Sequence, residues 1–131
     1  MSRGIRNNNP GNIRHGDKWQ GLCSRQTDKS FCQFIAPEYG IRAMLKILRN
    51  YKLKYGHNTI RQFISRWAPE IENDTESYIA YVSDMVDISR DAVIDVNNQR
   101  VMTALVKAMI QMENGKQPYP EETFKKAYSL I

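Results

Sequence analysis

The stretch AMIQMENGKQPY, Ala108 to Tyr119, ends an apolar helical pattern on a single carboxylate. Glu113 directly follows Met112 and lies four residues after Met109, so it sits beside the apolar stripe of its helix. A carboxylate in that place is partly desolvated, which disfavours its charged form and raises its pKa. A carboxyl group that keeps its proton near neutral pH can act as a general acid. Gly115 can take the left-handed conformation that ends a helix, which leaves Glu113 at a helix end, able to face a cleft. The plain alternative is a glutamate pointing into solvent ahead of a glycine cap. An acid at the negative end of a helix dipole is mildly unfavourable, so the position has a small stability cost that a functional role would explain.

Other groups compete for attention. Glu38, in APEYGIRA, falls in the first turn of a helix, where an acid favours the dipole, and that structural role is sufficient. Asp28, in QTDKSF, has the chemistry of a turn former. Cys23 and Cys32 can sit on the two arms of a hairpin as a disulfide or as reduced thiols. With His15 and His57 badly placed to help, they do not make a four-ligand zinc site.

The elements that must position these groups read as mostly helical. Residues 1–16, rich in Asn, Gly and Arg, have the turn formers of an irregular loop, with Pro10-Gly11 as a turn signal. KWQGLCSRQTDKSFCQFIA places Trp19, Leu22, Phe31 and Phe34 around a polar middle, which predicts two short strands of a β-hairpin. From Pro37 a helix is predicted, with Ile41, Leu45, Leu48 and Tyr51 inward and a stop at Tyr55-Gly56. A second begins near Thr59, carries Ile60, Phe63, Ile64 and Trp67, and ends at Pro69. A third is capped by Asp74 or Thr75, with Tyr78, Ile79, Val82 and Met85 or Val86 inward. DISRDAVIDVNN is a connection with room for one helical turn. Asn97 or Asn98 caps a fourth long helix, with Val101, Leu105, Ala108, Met109 and Met112 inward, and a short helix follows Pro120 with Phe124, Ala127, Tyr128 and Ile131.

The chain of 131 residues fits one domain, residues 1–131, large enough to bury a core. Its 41% apolar and 25% charged residues are ordinary for a soluble globular protein, and no apolar run is long enough to span a bilayer, so no membrane association is expected. MSRGIRNNNPGN lacks the apolar core of a secretory signal, so a protein made in the cytoplasm and working beyond it needs another means of delivery. The formal net charge of +5 suits nucleic acid, anionic membranes or an anionic cell-wall polymer. The cations are scattered rather than blocked, which argues against a nucleic-acid protein.

Several stretches resemble known wall-cleaving enzymes. VKAMIQMENGKQPY is similar to the motif of the lysozyme superfamily in which the catalytic glutamate closes a buried helix and is followed by Ser or Asn, then Gly, as in lytic transglycosylases. NNNPGNIR, KWQGL, the Cys hairpin and FCQFIAPEYGIRA occur in the order of the autolysin-type and flagellum-associated N-acetylglucosaminidases, which carry an NN-x-x-G-I-K loop, a Trp-Gly stretch, a hairpin and F-R-x-Y-x-S-x-x-E. ENDTESYIAYVS resembles their ATDPxYxxxL element. Two departures stand out: Asn12 is inserted in the Gly-Ile pair, and Pro37 replaces a polar residue. RGIRNNNPGNIR with PEYGIRA also resembles small lysozyme-like proteins of phages and prophages, a likeness covering most of the chain.

In the glucosaminidases the glutamate helix precedes the NN loop, whereas here the glutamate-glycine helix end lies at the C-terminal side. The resemblance therefore implies a mainly α, α+β lysozyme-like fold, circularly permuted, with a helical domain and a small N-terminal β-hairpin lobe. It implies a glycosidase acting as a monomer on peptidoglycan glycan strands, needing neither metal nor cofactor, with Glu113 as proton donor beside the NN loop. A second acid, when such enzymes have one, lies on the hairpin, which here offers Asp28; without it, one glutamate can suffice when the substrate's own hydroxyl attacks. Asn8 and Asn9 would bind N-acetyl groups or shape the loop. Tyr78 would orient the acid or the sugar, or serve as core. Tyr39 and Tyr119 would stack on sugars, whereas Trp19 and Trp67 read as packing residues. The competing expectations are a virion structural or wall-binding protein that kept the fold without catalysis, and a small nucleic-acid-binding protein.

Overall fold

A computed structural model describes residues 1–70 and 73–131, so Glu72 of the ENDTESYIAYVS segment lies outside the described residues. The protein is mainly helical, with six helices among those residues: α1 (Arg3–Arg6), α2 (Pro37–Tyr55), α3 (Ile60–Trp67), α4 (Thr75–Val86), α5 (Gln99–Asn114) and α6 (Glu121–Ser129). None of them is long and apolar enough to cross a membrane.

Local chemistry sets most of the boundaries. Pro37 and Glu38 open α2, and Gly56 closes it in the left-handed conformation at φ 71°. Thr59, Asp74 and Asn98 cap α3, α4 and α5 by accepting from Gln62, Ser77 and Val101 backbone N–H groups. Each such cap is worth about 1 kcal/mol. The connection from 87 to 98 forms turns rather than a helix; its Ile94 N–H donates to Asn58 O at 2.7 Å, pinning it beside the start of α3.

The core joins the long helices. Leu45 and Leu48 of α2, Phe63 of α3, Val82 of α4, Leu105 and Met109 of α5 and Phe124 of α6 are all essentially closed to solvent. α5 packs on α4 and α2, α3 packs on α4, and α6 lies against α2, where Lys126 pairs with Glu38 at 3.5 Å. Glu38 thus ties two helices together. The expected stripes differ in detail at their ends. Met85 is 58% exposed, and the half-buried Val86 takes the inward place. Met112 is 37% exposed because the last turn of α5 runs beyond the helical core to meet the N-terminal segment.

The first 36 residues form the second layer. The expected loop at the start contains α1, four residues capped by Ser2. The expected hairpin contains no strand; among the described residues its pairing is reduced to two isolated bridges, Arg14 with Phe31 and Leu22 with Phe34. Residues 31–34 are thereby held between 13–15 on one side and 21–23 on the other. The reason is visible in the polar middle, where side chains replace a ladder. Gln26 donates to Cys23 O and Gln33 O and accepts from Gln33 N–H, while Gln33 Oε1 accepts from Thr27 N–H. Cys23 and Cys32 are free thiols, Cys32 buried.

This lobe sits tightly on the helices. Gly40 of α2 lets the backbone of the Asn loop approach, since a Cβ there would stand 2.1 Å from Asn8 O. Gly4 does the same for α1 against the end of α5: its Cβ would meet Asn114 Oδ1 at 2.6 Å.

Candidate functional site

The end of α5 is where the two layers meet. Asn114 Nδ2 donates to Pro10 O at 2.8 Å, and its Oδ1 accepts from Ser2 Oγ at 2.7 Å. Gly115 ends the helix in the left-handed region at φ 75°. One residue before this joint is Glu113, half-buried. Asn12 Nδ2 donates to its Oε1 at 3.1 Å, and Tyr78 Oη donates to its Oε2 at 2.9 Å. Each carboxyl oxygen thus has one fixed donor and keeps further acceptor capacity for a proton or a substrate hydroxyl.

Both partners are themselves held. Tyr78, 3% exposed, projects from α4 beneath the site. Burial first, and then the neighbouring Glu113 carboxylate, hold the Tyr78 hydroxyl far above the ordinary phenol range, so it stays a donor at every working pH. Asn12 has φ 51°, a left-handed conformation that asparagine tolerates better than most residues. Its Oδ1 is buried without a hydrogen-bond partner.

Glu113 lines a cavity of about 330 Å³ between the lobe and the helices. Asn12, Arg14 and Phe31 come from the lobe, Ile47 and Tyr51 from α2, Trp67 from α3 and Asn73 from the approach to α4. Thr75 Oγ1 donates to the carbonyl of Ala68, another lining residue, and so fixes the α3 end of the wall. Among the described lining residues Glu113 is the one carboxylate. Ile47 and Tyr51 also line a wider groove of about 1130 Å³ that continues past them. It adds Trp19, Tyr55 and His57 together with Lys18, Lys54, Arg61 and Arg66, against one acid, Asp17. None of the described His, Cys, Asp and Glu side chains gather into a group able to hold a metal ion.

The other sequence-derived candidates lie elsewhere. Asp28 does not line the cavity, and its oxygens are fully engaged: Arg3 Nε and Nη2 at 2.7 Å each, Asn7 Nδ2 at 3.0 Å, and the backbone N–H groups of Ser30 at 2.9 Å and Phe31 at 3.0 Å. A base or nucleophile needs an accessible lone pair, and this carboxylate is instead the anchor of the lobe. Asn9 is closed to solvent and directed wholly at backbone groups of Ile13 and Cys32. Asn8, at φ 53°, donates to Phe34 O. Both shape the loop. Tyr39 lies over Gly21, where a Cβ would strike its ring. Tyr119 packs edge-on to Phe124 with ring centroids 6.5 Å apart, and burial pushes its hydroxyl up to about 12. Of the named candidates, Glu113 and Tyr78 are brought together. Asn12, noted only as an insertion in the loop, and Phe31, Tyr51 and Trp67, read only as apolar packing residues, join them.

The Asp28 anchor has a pH signature. The Arg3 guanidinium first, then the backbone N–H groups of Phe31 and Ser30, hold its carboxyl well below the usual carboxylate range. Its folded pKa is depressed, so its stabilisation is present above the ordinary value of about 4 and is lost as pH falls below it. In that window the unfolded chain takes up a proton that the folded chain does not. Asp28→Asn should therefore lower the denaturation midpoint at neutral pH and flatten the fall in stability below about pH 4. Urea melts between pH 2.5 and 7 check this; parallel wild-type and mutant pH profiles would contradict it.

Comparison with known proteins adds a relative to this geometry. No family model matches the chain. The chain is 44% identical to Protein P5 of Pseudoalteromonas phage PM2 over 131 residues, an alignment covering 97% of this chain and 80% of the phage protein. Identity at that level across nearly the whole length shows that the chain belongs to the family of the PM2 phage protein P5.

Proposed function

We propose that the protein is a peptidoglycan-cleaving glycosidase, a circularly permuted lysozyme-like domain whose proton donor is Glu113. The observation that carries this reading is the seat of that carboxylate, held by Tyr78 and Asn12 and opening onto a cavity between two layers. Cleavage of a glycosidic bond needs a carboxyl group that protonates the leaving oxygen from a fixed position. Tyr51 and Trp67 around it supply aromatic surface against which a sugar ring can pack, whereas the Phe31 ring is taken up by the Arg3 and Arg14 guanidinium groups at 4.6 and 5.0 Å from its centroid. The permutation is supported by contact: the NN loop near the N-terminus lies against the glutamate-glycine end of α5, through Pro10 and Asn12.

With Asp28 engaged by Arg3, the chemistry we favour uses one carboxylate. Glu113 gives its proton to the bridging oxygen between N-acetylmuramic acid and N-acetylglucosamine, and the bond from that oxygen to the anomeric carbon breaks. The substrate's own C6 hydroxyl or a water then attacks the oxocarbenium carbon, and its proton returns to Glu113. No metal or cofactor enters. The net charge of +5 favours approach to the anionic wall. A phage relative fits an enzyme delivered to the wall during infection or lysis.

The test is the loss of turbidity of purified peptidoglycan, with mass spectra of the released fragments. Wild-type clearing with a 1,6-anhydro or reducing-end product supports the reading and names the attacking group. No clearing by folded protein overturns it in favour of a wall-binding or virion structural role.

A further inference from the structure

The groove beyond Ile47 and Tyr51 has a charge that a neutral sugar chain does not explain. Sugars ask for aromatic faces and uncharged hydrogen-bond partners. This groove adds Lys18, Lys54 and Arg66, none of which is in an ion pair among the described residues. Like charges crowded along one cleft raise the local potential and favour an anionic ligand. Arg66 is the best-placed of them. Its guanidinium carbon lies 3.6 Å from the Tyr55 ring centroid and 5.6 Å from that of Tyr51. Stacking fixes the plane of the guanidinium and leaves its in-plane N–H donors free for a carboxylate.

We infer that this groove binds the carboxylates of the peptide stem that peptidoglycan carries on its N-acetylmuramic acid units, with Arg66 as the anchor and Lys54 and Lys18 as supporting charges. The inference rests on the peptidoglycan reading above and names a further part of the same substrate. The glycan occupies the cavity at Glu113, and the stem leaves it past Ile47 and Tyr51, the residues common to both spaces. A nucleic acid suits the cleft less well. Its closely spaced phosphates would face Asp17 in the groove and Glu113 in the adjoining cavity, whereas a few spaced carboxylates can be set against the cations alone.

The experiment uses the Glu113→Gln protein, which keeps the site without its acid. It is titrated calorimetrically with a peptidoglycan tetrasaccharide bearing its stems, and with the stemless tetrasaccharide of N-acetylglucosamine alone, which carries no carboxylate. The stem-bearing form should bind about tenfold more tightly, the effect of one charge-assisted hydrogen-bonded pair. Adding Arg66→Gln should remove most of that difference and leave the stemless affinity unchanged. Equal affinity for the two tetrasaccharides, or an Arg66→Gln variant that weakens both alike, overturns the inference. So does a single-stranded oligonucleotide that binds more tightly than the stem-bearing sugar in an Arg66-dependent way. Failure of the underlying reading shows differently: wild type then releases no fragment from purified peptidoglycan, whereas failure of the stem inference alone leaves cleavage intact without a preference for stems.

Discussion

Glu113→Gln is expected to abolish clearing of peptidoglycan, with a fall in turnover of about 10²–10⁴ and an unchanged fold. The amide is nearly isosteric with the acid. Its oxygen can still accept from Tyr78 or Asn12, so the joint between α4, α5 and the Asn loop has little reason to rearrange. What the amide cannot do is give a proton to a leaving oxygen. The loss should therefore lie in turnover rather than in affinity, and the mutant should hold substrate that wild type destroys. Single-turnover cleavage of defined muropeptides, with thermal melts as the fold control, separates these effects. Tyr78→Phe gives the smaller companion effect. It removes one of the two fixed donors while keeping the ring in the core, and a turnover loss of about tenfold with little change in KM is the expected sign of a positioning role. If Glu113→Gln cleaves as well as wild type, the proton comes from another group and the site is misassigned.

The helices were legible because their signals are local. Pro37 and Glu38 at one end of α2 and Gly56 at the other act within a turn of the residues they affect, as do the caps Thr59, Asp74 and Asn98. α1 was not legible, since four residues are too few to show a period. The lobe was only half legible: apolar pairs such as Leu22 and Phe34 do meet, but the pairing between them goes through the Gln26 and Gln33 side chains, which no alternation pattern records. The site divides in the same way. Glu113 stands out because its helix end is written in adjacent residues. Asn12 does not, because its contact with Glu113 spans 101 positions and depends on a left-handed turn. Trp67 has the same spacing as its buried neighbours Phe63 and Ile64, and periodicity cannot say which residue of a stripe borders a cavity.

Asn9 is where loop chemistry and catalysis can be told apart, and Asn9→Ala is expected to destabilise the protein by about 3–5 kcal/mol. The side chain is closed to solvent, donates to Ile13 O and Cys32 O at 2.9 Å each, and accepts from Ile13 N–H at 3.0 Å. Alanine would leave Ile13 N–H and Cys32 O buried without that partner, each at about 1–3 kcal/mol less whatever relaxation recovers, while Ile13 O keeps the Cys32 N–H at 2.9 Å. These bonds hold the turn between Asn9 and Ile13, and Asn12, which steadies Glu113, lies on that turn. A residue that only touched a sugar would behave in the opposite way, leaving the urea midpoint alone and raising KM. Asn9→Asp sharpens the contrast: the acceptor for Ile13 N–H survives, while Cys32 O loses its amide donor and both carbonyls face a carboxylate. Urea denaturation of both variants should show a large loss for each, with activity falling in step with the folded fraction. A stable Asn9→Ala protein with weakened glycan binding would instead move Asn9 out of the scaffold and into the substrate site.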